Sequence, residues 1–284
     1  MNSLSRWTRR SRPLFSVYLP VMPFVFFALF PLYFMFITSF KKNAELYDVT
    51  AVPFLIGRGV TFGHYELLSR ETLFWSWFLN SLMVSLAATV ISVVLGVLAA
   101  YPLARLKFPG GDSFGVAIFI TYLVPPSLLF LPLSTVVARL GLSDSLWALV
   151  VTYPTFLVPF CTWLLMGYFR TVPKEIEECA MLDGCNRLQT MLRILLPVAV
   201  PGVICAALFA FTLSWNEFLY SLVFVSPAEL KTLTVGVFSE LIRGDIYYWG
   251  GLMAGACIGS LPIVVAYVFF LDYYVSGLTA GAVK

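Results

Sequence analysis

The chain has 284 residues, of which 60% are hydrophobic and 12% are charged, and its mean hydropathy is +0.89. Because soluble domains carry about 25% charged residues, this composition indicates a protein embedded in lipid. A formal net charge of +3 argues against nucleic acid as a partner, and one histidine with five cysteines that form no CxxC pair argues against a metal site, a catalytic triad or a disulfide framework.

Six apolar stretches follow one another along the chain, and each is long enough to cross a bilayer as a helix, which takes about 20 residues. They predict an all-α polytopic membrane protein with six transmembrane helices. The first stretch follows a basic flank, as a signal peptide would, but it is too long and lacks a small-x-small cleavage site, so we expect a retained anchor. The predicted spans are Leu14–Phe40, Phe74–Leu103, Phe114–Val137, Leu146–Phe169, Val198–Val225 and Trp249–Val275.

The placement of Lys and Arg predicts the orientation of these spans, because cytoplasmic loops carry an excess of both residues. With the N-terminus inside, the cytoplasmic segments hold most of the 18 Lys and Arg residues, and the outer ones are spread over longer loops. Both termini are then cytoplasmic. The predicted organisation is a cytoplasmic N-terminal segment, 1–13, and a six-helix domain, 14–284, that includes a cytoplasmic loop at 171–197.

Prolines interrupt two of the predicted spans. The backbone carbonyls that they free need a neighbouring helix or a wet cavity, because lipid cannot satisfy them. A simple kink without a functional role is an equal alternative. These residues are Pro125, Pro126 and Pro132 in the third span and Pro154 and Pro159 in the fourth.

The 171–197 segment is polar and predicts two short helices outside the membrane. Pro173 suits the first turn of a helix, and Gly184 is a natural stop because glycine accepts a left-handed backbone. Asn186 and Gln189 have the spacing of a capping box at the start of a second helix. Pro197 marks the entry into the fifth span.

The first helix of this segment is expected to present an apolar face with small residues, formed by Ile176, Cys179 and Ala180 at i, i+3 and i+4. An apolar stripe is expected on the second helix from Leu188, Met191, Leu192 and Leu195. The alternative is a loop that lies amphipathically on the membrane surface. Acidic residues at its start fit that alternative poorly, since the cytoplasmic leaflet is itself negative.

The spacing Glu178-Cys179-Ala180-x3-Gly184-x9-Ile194-x-Leu196-Pro197 resembles the loop by which permease subunits of bacterial ABC importers hold their ATPase. Cys179 stands where alanine is usual, which exchanges one small residue for another. By this resemblance, Glu178 and Gly184 belong to coupling helices that sit in an ATPase groove. The coupling set that the resemblance implies is Glu178, Cys179, Ala180, Asp183, Gly184, Ile194, Leu196 and Pro197.

The resemblance extends over essentially the whole chain, and it points to the carbohydrate branch of these importers. It is most similar to the second, six-span permease subunit of maltose-type systems, which implies a type I ABC importer permease fold. The further segments that carry it are 78–82, 104–110, 215–218 and the tail at 277–284. The tail around Gly281 is expected to reach towards the ATPases.

The resemblance implies a set of partners in the bacterial inner membrane. They are a second homologous permease, two copies of a P-loop ATPase that bind ATP and Mg, an extracytoplasmic substrate-binding protein, a sugar substrate and the lipid bilayer. The sequence has no G-x-x-x-x-G-K-[ST] motif. We therefore expect no cofactor on this chain, no metal, and no enzyme activity of its own.

Glu217 is the candidate residue for the substrate pathway, because ionisable groups inside a membrane are rare and often functional. In a continuous fifth span it would lie ~12 Å from the outer surface, at 1.5 Å per residue. Trp215, Asn216 and Tyr220 surround it, and Asn80 is a further polar candidate. The alternatives are that Glu217 binds a neighbouring helix or lies in the outer interface, and that Asn80 makes a helix–helix hydrogen bond.

The sequence does not exclude other solutes or another class of transporter. The same importer could carry a polyol or a glycerophosphodiester, although the predicted spans contain no basic pair for an anionic solute. An ion-coupled secondary transporter is a different class. Such a protein would more often show internal repeats and several intramembrane charges.

Overall fold

The computed structural model of the protein describes residues 18–279. Within them, helices account for nearly all regular structure, as the apolar periodicity predicts, and two short strands form an antiparallel hairpin. The predicted N-terminal segment 1–13, the start of the first span at 14–17 and the tail around Gly281 lie outside the described residues.

The helices, numbered in chain order, are α1 (Leu19–Ser39), α2 (Asn43–Leu46), α3 (Gly63–Glu71), α4 (Phe74–Arg105), α5 (Gly111–Tyr122), α6 (Pro126–Arg139), α7 (Leu146–Thr152), α8 (Pro154–Phe169), α9 (Lys174–Leu182), α10 (Arg187–Thr190), α11 (Leu196–Val198), α12 (Val200–Trp215), α13 (Leu219–Phe224), α14 (Leu233–Leu241), α15 (Trp249–Phe269) and α16 (Leu271–Thr279). A π-helical turn (Met191–Leu195) joins α10 to α11, and a 3-10 turn (Ala228–Leu230) precedes α14. The strands are β1 (Ile242–Arg243) and β2 (Ile246–Tyr247).

Four helical stretches among the described residues are long and apolar enough to cross a membrane: α1, α4, α15 and the run of α7 and α8 over Leu146–Phe169. Two bent pairs raise this number to six if each pair is one span. The first, α5 with α6, bends by 93°, and the second, Arg187–Val198 with α12, bends by 80°. Five of the predicted spans coincide with these stretches apart from their ends. The fifth differs, because the second bent pair runs from Arg187 to Trp215 and so includes residues 187–197, which the sequence predicts to lie outside the membrane.

The third span breaks where its proline pair predicts. Pro125 has an extended backbone with ψ 130°, and Pro126 opens α6. A residue that precedes proline is disfavoured in the helical region, so the helix cannot run through this point. Pro132 and Pro159, by contrast, lie inside α6 and α8, and Pro154 opens α8.

The fifth predicted span is not one helix. The helix α12 ends at Trp215, residues 216–218 break it, and α13 follows as a separate short helix. The depth of ~12 Å for Glu217 assumed a continuous helix at 1.5 Å per residue, and that assumption is wrong. The sixth predicted span is likewise divided, between α15 and α16.

The chain forms two compact units. In the larger one, which among the described residues comprises 73–238 and 260–279, α4 packs on α8 and α12, and α12 packs on α16. Helices α4 and α8 approach closely at Gly96, where a Cβ would lie 2.7 Å from that of Cys161. This core therefore supports both the segment that follows α8 and the break that follows α12.

The smaller unit, which among the described residues comprises 18–72 and 239–259, contains α1 to α3, the hairpin and the start of α15. Lys41 and Glu45 form a buried ion pair in it, at 3.4 Å. The ring of His64 lies within hydrogen-bond distance of the Lys41 carbonyl, 2.8 Å from Nε2, and Gly250 leaves room for that ring.

Candidate functional site

The helix α9 ends as the sequence predicts. Gly184 has φ +92°, and the N–H groups of Gly184 and Cys185 donate to the carbonyls of Met181 and Ala180 at 3.1 and 3.0 Å. This pair of bonds is a Schellman motif, which satisfies the last carbonyls of a helix. Pro173 is the residue before the helix rather than its first residue.

The second helix of the 171–197 segment begins with the predicted capping box. Asn186 Oδ1 accepts from the Gln189 N–H at 2.9 Å, and Gln189 Oε1 accepts from the Asn186 N–H at 3.0 Å. The prediction of two short helices joined by a tight turn is thus confirmed. Local hydrogen bonds satisfy the backbone on both sides of the turn.

The predicted apolar face of α9 is present in part. Ile176 is 41% exposed and Cys179 is exposed, as a face open to a partner requires, but Ala180 is buried, and the second buried residue of the helix is Glu177. Glu177 turns inward because it meets Arg105 at the end of α4: Nε and Oε1 lie 2.6 Å apart. Sequence reasoning missed this pair, although Arg105 belongs to the segment 104–110 that carries the family resemblance.

The predicted stripe of the second helix divides in the same way. Met191 and Leu195 are buried, whereas Leu188 and Leu192 are more than half exposed. With Leu182, which is 88% exposed, they leave an apolar surface uncovered outside the spans. Such a surface, flanked by polar side chains, is typical of a protein–protein contact.

The residues of the implied coupling set lie in one continuous segment but differ in exposure. Five of them are open to a partner, and three are covered by the protein itself. The exposed ones are Glu178, Cys179, Asp183, Gly184 and Pro197; Ala180 is buried, and Ile194 and Leu196 are half-buried.

Glu217 caps α13. Its carboxylate accepts from the N–H groups of Tyr220 at 2.8 Å and Ser221 at 3.2 Å, and from the hydroxyl of Tyr153 at 2.9 Å. The first N–H groups of a helix have no partner within the helix, so a carboxylate beside them stabilises the restart of the chain after the break. The side chain is half-buried.

The candidate residues next to Glu217 differ in solvent exposure. Trp215 is buried, and it stacks on Phe211 with ring centroids 5.6 Å apart. Tyr220 is fully buried. Asn216 is exposed, and its Nδ2 donates to the Thr212 carbonyl at 2.8 Å.

Asn80 lies on α4 and is 9% exposed. Its Nδ2 donates to the carbonyls of Glu229 and Lys231 at 2.8 and 3.1 Å. The hydrogen bonds therefore join a helix to the loop before α14 rather than to another helix. Of the five pathway candidates, only Asn216 and Glu217 keep open surface.

Several apolar helices, with a short helix pair between two of them, define a multi-pass membrane protein. The chain belongs to the family described as the binding-protein-dependent transport system inner membrane component, which matches residues 92–279. It is a permease subunit of an ABC importer of the inner membrane, in which a separate subunit hydrolyses ATP. The general kind of partner, a binding protein and the other subunits of the transporter, follows from the family.

Relatives in other organisms match over nearly their whole length. The inner membrane ABC transporter permease protein YcjP of Escherichia coli (strain K12) is 38% identical over 92% of this chain and 93% of its own. The diacetylchitobiose uptake system permease protein DasC of Streptomyces coelicolor is 34% identical over 90% and 91%. The trehalose/maltose transport system permease protein MalG of Thermococcus litoralis is 31% identical over 90% and 91%.

A solved structure has the same fold. It is a chain of a bacterial ABC transporter for import of the acidic polysaccharide alginate, with a TM-score of 0.74 at 21% identity over 94% of this chain and 98% of that one. The type I importer permease fold that the resemblance implied is confirmed.

Proposed function

We propose that this chain forms half of the translocation pathway for a sugar or oligosaccharide and couples that pathway to a separate ATPase. The observation that carries the coupling role is the 171–197 segment, a helix pair fixed by local caps whose apolar residues Leu182, Leu188 and Leu192 are uncovered. The sugar substrate is supported by the names of relatives such as the diacetylchitobiose and trehalose/maltose permeases.

The complete importer in this proposal contains a second homologous permease, two copies of a P-loop ATPase and an extracytoplasmic binding protein. ATP and Mg bind to the ATPase copies, since this sequence has no P-loop motif. The exposed Glu178, Cys179 and Gly184 then contact the ATPase. Both termini of this chain are cytoplasmic, in agreement with the excess of Lys and Arg on that side.

The substrate passes Asn216 and Glu217 in this proposal. The amide and the carboxylate are groups that bind sugar hydroxyls, and both residues keep open surface at the break between α12 and α13. Asn80, Trp215 and Tyr220 shape that place without direct contact, because all three are buried. A polyol remains compatible with this chemistry, whereas an ion-coupled secondary transporter is not favoured by the family.

The experiment that tests the proposal is to tag this chain in its native membrane, purify it in mild detergent and identify stoichiometric partners by mass spectrometry. We expect a second permease and a P-loop ATPase, and import of a sugar when the complex is reconstituted with its binding protein. Recovery of the chain alone or as a homo-oligomer would contradict the coupling role. If the complex imports a non-sugar solute and no sugar, only the proposed substrate class is contradicted.

A further inference from the structure

Arg105, the last residue of α4, and Glu177, on α9, form a buried ion pair. Their Nε and Oε1 atoms are 2.6 Å apart, and the two side chains are only 3% and 5% exposed. The guanidinium also donates from Nη2 to the Val172 carbonyl at 2.7 Å, just before α9. One turn earlier on α4, the Tyr101 hydroxyl lies 3.5 Å from Glu177 Oε2.

The ion pair and the hydrogen bond to the Val172 carbonyl tie α9 and the residues before it to α4. The helix α9 packs most closely on α10 and the π-helical turn, which belong to the same 171–197 segment. Its outer side is open, and Glu177 and Ala180 are its only buried residues among those described. Arg105 is therefore a residue through which α4 contacts both α9 and the residues just before it.

The ion pair borders a pocket lined by further charged side chains. A cavity of about 680 Å³ lies beside it, lined by Arg105, Lys107, Lys174, Glu178 and Arg187 among others. Among the described residues, Arg105 Nη1 has no hydrogen-bond partner, and Arg105 Nε and Glu177 Oε1 form an ion pair without the geometry of a hydrogen bond. A buried pair of this kind is weak evidence for stability but can determine a specific arrangement.

We propose that Arg105 and Glu177 are positioning residues that transmit movement between the ATPase-binding helix α9 and α4. The ion pair and the bond to the Val172 carbonyl make α9 move together with the cytoplasmic end of α4. Because α4 packs on α8 and α12, the displacement reaches the core of the larger unit. This inference rests on the proposed coupling function and adds the residues that carry the force inward.

The test uses the complete transporter in proteoliposomes with its binding protein, and it measures ATPase retention, ATP hydrolysis and sugar imported per ATP. Glu177→Gln keeps the shape of the side chain and removes its charge. We expect it to retain the ATPases and basal hydrolysis and to lower sugar imported per ATP by about tenfold, within the range of measured coupling energies. Arg105→Lys, which keeps the charge but loses the fork of donors, should lie between wild type and Glu177→Gln.

Glu175→Gln is the matched control, because Glu175 is an exposed carboxylate on the same helix, and it should behave as wild type. If a single variant does not assemble, the double variant Arg105→Met, Glu177→Met removes both charges and leaves none unpaired. We expect it to assemble and to stay poorly coupled.

Wild-type coupling in Glu177→Gln or in the double variant would overturn the positioning role. So would loss of the ATPases from Glu177→Gln together with wild-type coupling in the complexes that remain, since this would make the pair a docking element. Failure of the proposed function shows in the wild-type preparation itself, as an absence of ATPase. That result overturns both proposals and is distinct from the other outcomes.

Discussion

Gly184 determines the path of the 171–197 segment at the scale of one residue. Its φ of +92° lies in the left-handed region, where a Cβ meets the following carbonyl oxygen at a cost of roughly 1–2 kcal/mol. No other atom lies within 4 Å of the place where a Cβ would stand. The constraint is therefore on the backbone alone, and a side chain would act by altering the angle between the two helices.

Gly184→Ala is expected to weaken ATPase binding while the spans remain inserted. The strain of about 1 kcal/mol corresponds to about fivefold in an equilibrium constant. Titration of the ATPase against the purified permease measures this. Gly141→Ala is the control, because Gly141 has φ +67° and no neighbour within 4 Å but lies in the loop after α6; equal weakening by both variants would refute a local effect.

At the scale of elements, a buried ion pair stabilises the loop between α1 and α3, in which the only helix is the short α2. Lys41 Nζ donates to the carbonyls of Val52 and Pro53 at 3.0 and 2.9 Å. The Glu45 carboxylate accepts from the backbone N–H groups of Gly57 and Arg58, each at 2.9 Å. The Lys41–Glu45 ion pair thus fixes two later segments of the loop, 52–53 and 57–58.

The stability of this loop should depend on pH. The N–H groups of Gly57 and Arg58, helped by Lys41, lower the pKa of Glu45 from 4.5, although burial opposes them. A carboxylate whose pKa is lower in the folded state stabilises above the unfolded pKa. This stabilisation is lost as the pH falls below about 4.5 and through the folded value.

Amide hydrogen exchange of the loop, corrected for its intrinsic rate, measures this effect. We expect faster exchange at Gly57 and Arg58 below pH 4.5, and already at pH 7 in Glu45→Gln. Asp48, whose pKa is lowered by hydrogen bonds from Thr50, leaves a residual pH dependence in that variant. Glu66→Gln is the control, since Glu66 is exposed on α3; exchange that is unchanged in Glu45→Gln would contradict the prediction.

At the scale of the whole molecule, the features that could be predicted from the sequence are those that neighbouring residues determine. Long apolar runs predicted the spans, and the proline pair at 125–126, Gly184 and Asn186 predicted a break, a stop and a cap from local backbone physics. The Arg105–Glu177 pair was missed because its members are far apart in the sequence. The break at 216–218 was missed because neither glycine nor proline marks it, and a carboxylate that caps α13 accompanies it instead.

The distribution of Lys and Arg also predicts the orientation of the protein in the membrane, and the cysteines of the chain can test this prediction. Cys179 is exposed in the 171–197 segment, whereas Cys161 and Cys205 are buried in the larger unit. If this segment is cytoplasmic, a membrane-impermeant maleimide should label Cys179 in inside-out vesicles and not in right-side-out vesicles, as read by peptide mass spectrometry.

Bound ATPase should protect Cys179 from the same reagent, because the proposed contact covers this residue. Val49→Cys provides the opposite marker, since Val49 is 99% exposed in the loop after the first span and should react only in right-side-out vesicles. Reaction of Cys179 from the outside would place the helix pair where no ATP-hydrolysing subunit operates. The coupling role would then fail even though the fold and the family stand, because coupling requires the uncovered helices and the ATPase on one side of the membrane.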